Sequence, residues 1–90
     1  MVEKVVVVQN ERGIHVRPCS IIAQAMKGFA GKAFVVPSNG RQEQITTMPI
    51  SLMGLALRKG AVITIRVEGE GAEQKLQQLA ELFEKEYDFS

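Results

Sequence analysis

Four consecutive valines, Val5 to Val8, sit inside a stretch from Val2 to Gln9 that reads as a first strand. The valine run blurs the alternation of faces. Val6 and Val8 are assigned to the core and Val5 and Val7 to the opposite face. Asn10-Glu11-Arg12-Gly13 reads as a polar turn closed by glycine. The period then changes. Cys19, Ile22, Ala23, Met26 and Phe29 are spaced along one face of a helix, which the pattern predicts from about Val16 to Gly28. Pro18 falls in its first turn, where a missing N–H costs nothing, and Gly28 and Gly31 stop it. Gln24 and Lys27 face outward.

Lys32–Pro37 reads as a second strand, Ser38-Asn39-Gly40 as a hairpin turn, and Arg41–Ile45 as a short polar strand suited to a sheet edge. Thr46-Thr47-Met48-Pro49 has the letters of a helix start, with Thr47 as a hydroxyl cap and Pro49 in the first turn. The predicted helix covers Ile50–Leu57. It points Leu52, Leu55 and Ala56 inward, leaves Ile50 and Met53 nearer the surface, and ends at Arg58-Lys59-Gly60. Ala61–Val67 alternates cleanly, with Ile63, Ile65 and Val67 on one face. After Gly69-Glu70-Gly71 a last helix runs from Ala72 to about Tyr87, and Asp88-Phe89-Ser90 frays as a tail. The order is β-α-β-β-α-β-α. A central hairpin, with helices between the other strands, implies an α+β sandwich: an antiparallel sheet with the helices on one face.

The chain has 90 residues, enough for one domain over 1–90 with a single core. Eleven Lys and Arg against ten Asp and Glu leave a net charge of +1, which gives no general footprint for nucleic acid. One cysteine excludes an internal disulfide, and one histidine leaves no zinc-ligand spacing. No apolar run approaches the length that spans a bilayer, and Met1-Val2-Glu3-Lys4 lacks the basic and apolar regions of a signal peptide. A cytoplasmic location is expected, without membrane insertion.

The chemistry concentrates in Gly13-Ile14-His15-Val16-Arg17-Pro18-Cys19-Ser20, which holds the single histidine. A loop there delivers one imidazole to the start of a helix. A helix start presents unpaired N–H groups and the positive end of the macrodipole, and so receives anions, phosphate above all. An imidazole can act as a nucleophile, and a guanidinium can hold phosphoryl oxygens through its fork of donors. On residue types alone, a surface or structural histidine remains the competing reading. Cys19 falls on the buried stripe and reads as packing, against the alternative of a redox-sensitive thiol.

Gly13-Ile14-His15-Val16-Arg17-Pro18 resembles the active-site motif of the HPr family, the histidine-containing phosphocarrier proteins of the sugar phosphotransferase system. Length, element order, the Ser38-Asn39-Gly40 hairpin, Lys59-Gly60 and Val67-Glu68-Gly69 agree with it. The resemblance implies an open-faced βαββαβα sandwich of four antiparallel strands with three helices on one face. It implies that His15 accepts a phosphoryl group on Nδ1 from phosphorylated enzyme I and passes it to an enzyme IIA domain of a sugar permease. Arg17 and the backbone N–H groups of Val16 and Arg17 would stabilise the transferring group. No metal or organic cofactor is implied, and the chain would be a monomeric carrier and not a turnover enzyme.

Docking is expected on Val16 and Ser20 of the first helix and on Pro49, Ile50 and Met53, with Arg17, Lys27 and Arg58 steering acidic partners. Val16, Cys19 and Ser20 depart from the alanine and small residues usual in the family. Ser51-Leu52-Met53-Gly54 resembles the context of a regulatory serine phosphorylated by an HPr kinase. Counting back from Lys59-Gly60, however, puts the regulatory position near Thr47 or Met48, so the phosphosite is Ser51, Thr47 or neither. Two other readings compete: a paralogue in a regulatory or nitrogen-related phosphorelay, and a non-catalytic α+β interaction module.

Overall fold

Seven elements follow the order that the hydrophobic pattern requires: β1 (Val2–Val7), α1 (Val16–Ala25), β2 (Lys32–Pro37), β3 (Glu43–Ile45), α2 (Ile50–Met53), β4 (Val62–Glu68) and α3 (Ala72–Glu84). The computed structural model describes residues 1–38 and 40–87. Asn39 of the expected hairpin and the Asp88–Ser90 tail lie outside the described residues. The strands form one antiparallel sheet in the order β1-β4-β2-β3.

The register explains the core. Ile63 stands between Val6 and Pro37, Ile65 between Lys4 and Val35, and Val67 between Val2 and Ala33. Residues two apart share a face. Val6, Ala33, Val35, Ile45, Ile63, Ile65 and Val67 are accordingly all buried on one side. The helices close that side: α3 lies against β1 and β4, α2 against β3, and α1 against both other helices. Cys19, Ile22, Ala23 and Met26 of the α1 stripe join Leu52, Leu79, Ala80 and Phe83 in the core. Each fully buried large aliphatic or aromatic side chain there contributes about 1.5–3 kcal/mol. The other face of the sheet is open. Val5 is 61% exposed on it, and Arg66 Nε sits 3.1 Å from Glu3 Oε2 in a solvent-screened ion pair.

The largest departures from the expected elements lie at helix ends. α1 stops at Ala25, short of Gly28. Met26 and Lys27 donate to the carbonyls of Ala23 and Gln24, a tightened last turn, and Gly28 then reverses the chain at φ 80°. The last α1 carbonyl, that of Ala25, accepts a hydrogen bond from Lys75 Nζ, which also lies 5.4 Å from the Phe29 ring centroid. Lys75→Met should therefore cost about 1–2 kcal/mol. A lower urea midpoint with an unchanged slope is the expected measurement.

α2 is a single turn, not a helix to Leu57. Gly54 caps it, Leu55 and Ala56 donate back three residues to Leu52 and Met53, and Ala56 takes a left-handed φ of 51°. Ala56 is exposed instead of inward, while Leu57 is buried. The turn lets the Leu57 carbonyl reach the Ile14 N–H. Arg58-Lys59-Gly60 is thus no helix end but a turn into β4, held by the Gly60 N–H on the Val8 carbonyl.

Thr47 does not cap α2 either. Pro49 is the N-cap residue and makes no side-chain cap bond, while the neighbouring Thr46 hydroxyl accepts from the Met48 N–H at 3.1 Å. α3 ends at Glu84. Tyr87, expected in its last turn, is buried beyond it, with its hydroxyl donating to the Leu82 carbonyl at 2.7 Å. Among the described residues no helix is long and apolar enough to cross a membrane.

Candidate functional site

The loop between β1 and α1 is pinned at three points. Gly13 N–H donates to the Asn10 carbonyl at 2.8 Å, and Asn10 Nδ2 donates to the Gly13 carbonyl at 2.7 Å. Gly13 has φ 75°, and a Cβ there would lie 2.2 Å from the Leu57 carbonyl oxygen and 2.9 Å from Arg58 Cα. Glycine alone permits both the dihedral and the approach. Ile14, 3% exposed, then donates its N–H to the Leu57 carbonyl at 2.8 Å and seats its side chain in the core.

His15 follows as the N-cap residue of α1, with extended backbone (φ −112°, ψ −156°). Its carbonyl accepts the first helical bond, from Cys19 N–H at 2.9 Å. Val16 and Arg17 carry the backbone N–H groups ahead of that bond, and Pro18 contributes none. No acidic residue occupies the first turn, so no carboxylate competes for an anion there. The imidazole is half-buried and makes no cap bond. Its Nε2 is buried and has no hydrogen-bond partner among the described residues. Arg17, one residue into the helix, is exposed. The arrangement can offer one imidazole nitrogen to an electrophile while the N–H groups at the helix start receive its anionic oxygens.

Cys19 is fully buried with Sγ 3.7 Å from the Ile14 carbonyl, and burial pushes its thiol up to about 11. It is packing, as its place on the stripe implied. Below that pKa it stays a protonated, poor nucleophile. At pH 8, iodoacetamide is expected to leave the native protein unmodified and to alkylate Cys19 once urea unfolds it, which intact mass resolves.

The other expected site residues separate by position. Val16, Ile50 and Met53 are 57%, 70% and 41% exposed, on two helices that touch. Ser20 is exposed and donates its hydroxyl to the Val16 carbonyl at 3.0 Å, and Pro49 is half-buried. Lys27 lies past the far end of α1, roughly 15 Å along the axis from Val16, so it does not join His15. Arg58 is exposed beside Gly13. Ser51 is half-buried, its hydroxyl donating to the Met48 carbonyl at 3.3 Å, and Thr47 is exposed.

Two residues escaped the sequence reading. Met48, 63% exposed, adds a flexible apolar side chain next to Pro49. Placing it in a capping stretch hid it, although four methionines in 90 residues gave reason to ask where each one points. Asn10 belongs to a stretch that reads as a polar turn, yet it is 1% exposed, and no periodicity marks it. Among the described residues no group of three or more His, Cys, Asp or Glu could hold a metal ion.

A comparison with known families matches residues 2–85 to the model described as the PTS HPr component phosphorylation site. The phosphocarrier protein HPr of Xylella fastidiosa (strain 9a5c) is 31% identical over 87 residues, 97% of this chain and 96% of its own. That of Mycoplasma pneumoniae is 36% identical over 80 residues, 89% of this chain and 90% of its own. Among solved structures, a phosphocarrier protein HPr from Bacillus anthracis superposes with a TM-score of 0.83 at 30% identity, over 92% of this chain and 96% of that one.

Proposed function

The chain belongs to the HPr family of phosphocarrier proteins of the phosphotransferase system, and we propose that His15 is its phosphoryl acceptor, taking the group from phosphorylated enzyme I and giving it to an enzyme IIA domain in the cytoplasm. One observation carries this reading: His15 caps α1 with its imidazole half-open and Nε2 turned into the protein. The burial of Nε2 favours Nδ1 as the nitrogen that meets the incoming phosphorus.

In that step the Nδ1 lone pair forms the new N–P bond as the bond between phosphorus and the donor atom of enzyme I breaks, the electron pair leaving with that donor, and Nε2 keeps the ring proton. The phosphoryl oxygens hold their charge throughout, facing the N–H groups at the start of α1 and the Arg17 guanidinium. Transfer to the acceptor domain reverses the same step on a second partner. Both partners would dock on the exposed apolar side chains Val16, Ile50 and Met53, with Met48 beside them. Arg17 and Arg58 would steer acidic surfaces toward His15.

Incubation with enzyme I and phosphoenolpyruvate tests the reading. Intact mass should show one added phosphoryl group, labile in acid and stable in base, that passes to a IIA domain on mixing. No incorporation from enzyme I of either the sugar or the nitrogen branch would refute it.

A further inference from the structure

We propose that Asn10 is a positioning residue for phosphoryl transfer: its carboxamide ties the Gly13 carbonyl to the Tyr87 N–H and so sets where the His15 loop leaves the sheet. The role it positions rests on the phosphocarrier reading of His15. The geometry itself does not.

Asn10 is the one polar side chain buried among the described residues, at 1% exposed. An amide in that setting costs stability unless it is hydrogen-bonded, so packing alone would favour an apolar residue. Here both ends of the amide are engaged. Nδ2 donates to the Gly13 carbonyl at 2.7 Å, and Oδ1 accepts from the Tyr87 N–H at 2.8 Å. The first bond fixes a peptide unit two residues before His15. The second reaches 77 residues along the chain, to a segment itself anchored by the buried Tyr87 ring and its hydroxyl bond to Leu82.

On the other flank, Ile14 N–H holds the Leu57 carbonyl. The loop is therefore clamped between α3's end and the turn after α2, with Asn10 on one side of the clamp. A short side chain carrying both a donor and an acceptor is needed. Aspartate supplies the acceptor for Tyr87 but turns a carboxylate oxygen against the Gly13 carbonyl. The Gly13 carbonyl and the Tyr87 N–H that Asn10 bonds both lie outside α1 and α2, the helices that carry the docking residues Val16, Ile50 and Met53. The expected signature is thus a loss in transfer and not in partner binding.

The test uses the full chain and its Asn10→Asp and Asn10→Ala variants. Lys75→Met, which loses a helix-end contact remote from His15, controls for stability. With phosphorylated enzyme I, Asn10→Asp should lower kcat at least tenfold while KM for the carrier stays within about twofold, since small displacements of a reacting group carry large rate penalties. Lys75→Met should melt earlier with kcat unchanged.

In parallel, proton–carbon NMR of the single imidazole should show His15 ring signals moved in both Asn10 variants and unmoved in Lys75→Met. An Asn10 variant that melts earlier, yet transfers at the wild-type rate with an unchanged imidazole spectrum, would reduce Asn10 to scaffold and overturn the proposal. If the wild-type chain accepts no phosphoryl group, the carrier reading fails and the imidazole spectra alone decide whether Asn10 sets the position of His15.

Discussion

His15→Ala is expected to take up no acid-labile phosphoryl group from enzyme I and phosphoenolpyruvate, while its urea midpoint stays close to that of the parent chain. The two halves of this result have separate causes. The loss is complete because the chain has one histidine, so no second imidazole can take the group. The stability hardly moves because the side chain does little for the fold. It makes no cap hydrogen bond to α1, it is only half-buried, and its Nε2 has no partner among the described residues. The first helical bond uses the backbone carbonyl of residue 15, which alanine keeps. Changes at such a position stay within about 0.5 kcal/mol. A variant that lost the phosphoryl group and several kcal/mol together would mean that the imidazole is structural. A variant that stayed stable and was still phosphorylated with acid lability would move the acceptor elsewhere.

Gly13→Ala should destabilise the fold strongly, because the added methyl meets both a left-handed dihedral and a backbone clash. At φ 75° an L residue is strained by about 1–2 kcal/mol, and the added carbon would sit 2.2 Å from a backbone oxygen, that of Leu57. Backbone cannot swing aside as a flexible side chain can. Relief requires the segment at 57–58 to retreat, which breaks the Ile14 N–H bond to Leu57 at a further cost of about 1 kcal/mol. A total of about 2–4 kcal/mol is expected in urea denaturation.

Gly28 makes the internal control: its φ is 80°, yet a Cβ there meets nothing within 4 Å, so Gly28→Ala should lose only the dihedral share, about 1 kcal/mol. The two also differ in function. Gly13→Ala moves the loop that carries His15, and phosphorylation per folded molecule should fall at least tenfold, whereas Gly28→Ala should leave it unchanged. Equal losses from both variants would show that the close approach to Leu57 does not hold the loop.

The faces of the strands and the stripe of α1 were legible because each depends on residues two to four apart. Val6 and Val8, Ile63, Ile65 and Val67, and Cys19, Ile22, Ala23 and Met26 are buried where the period puts them. The helix ends were less legible. Thr47 and Pro49 carried good capping letters, but the helix they announce lasts one turn, since the Leu57 carbonyl must come round to meet Ile14. Local propensity lost there to a contact 43 positions distant, the difference between residues 57 and 14. The surface beside the site was read in part, with Ile50 and Met53 exposed as expected and Met48 overlooked.

The sequence by itself determined the order of elements, the faces that make the core, and the two candidate side chains for phosphoryl chemistry, His15 and Arg17, because periodicity and residue type are local properties. Only the tertiary structure decided how His15 is held. Gly13 against Leu57, Asn10 between Gly13 and Tyr87, and Lys75 on the end of α1 each join segments far apart in the chain. A buried amide and a close backbone approach leave no period to read, since their partners are chosen by how the helices settle on the sheet.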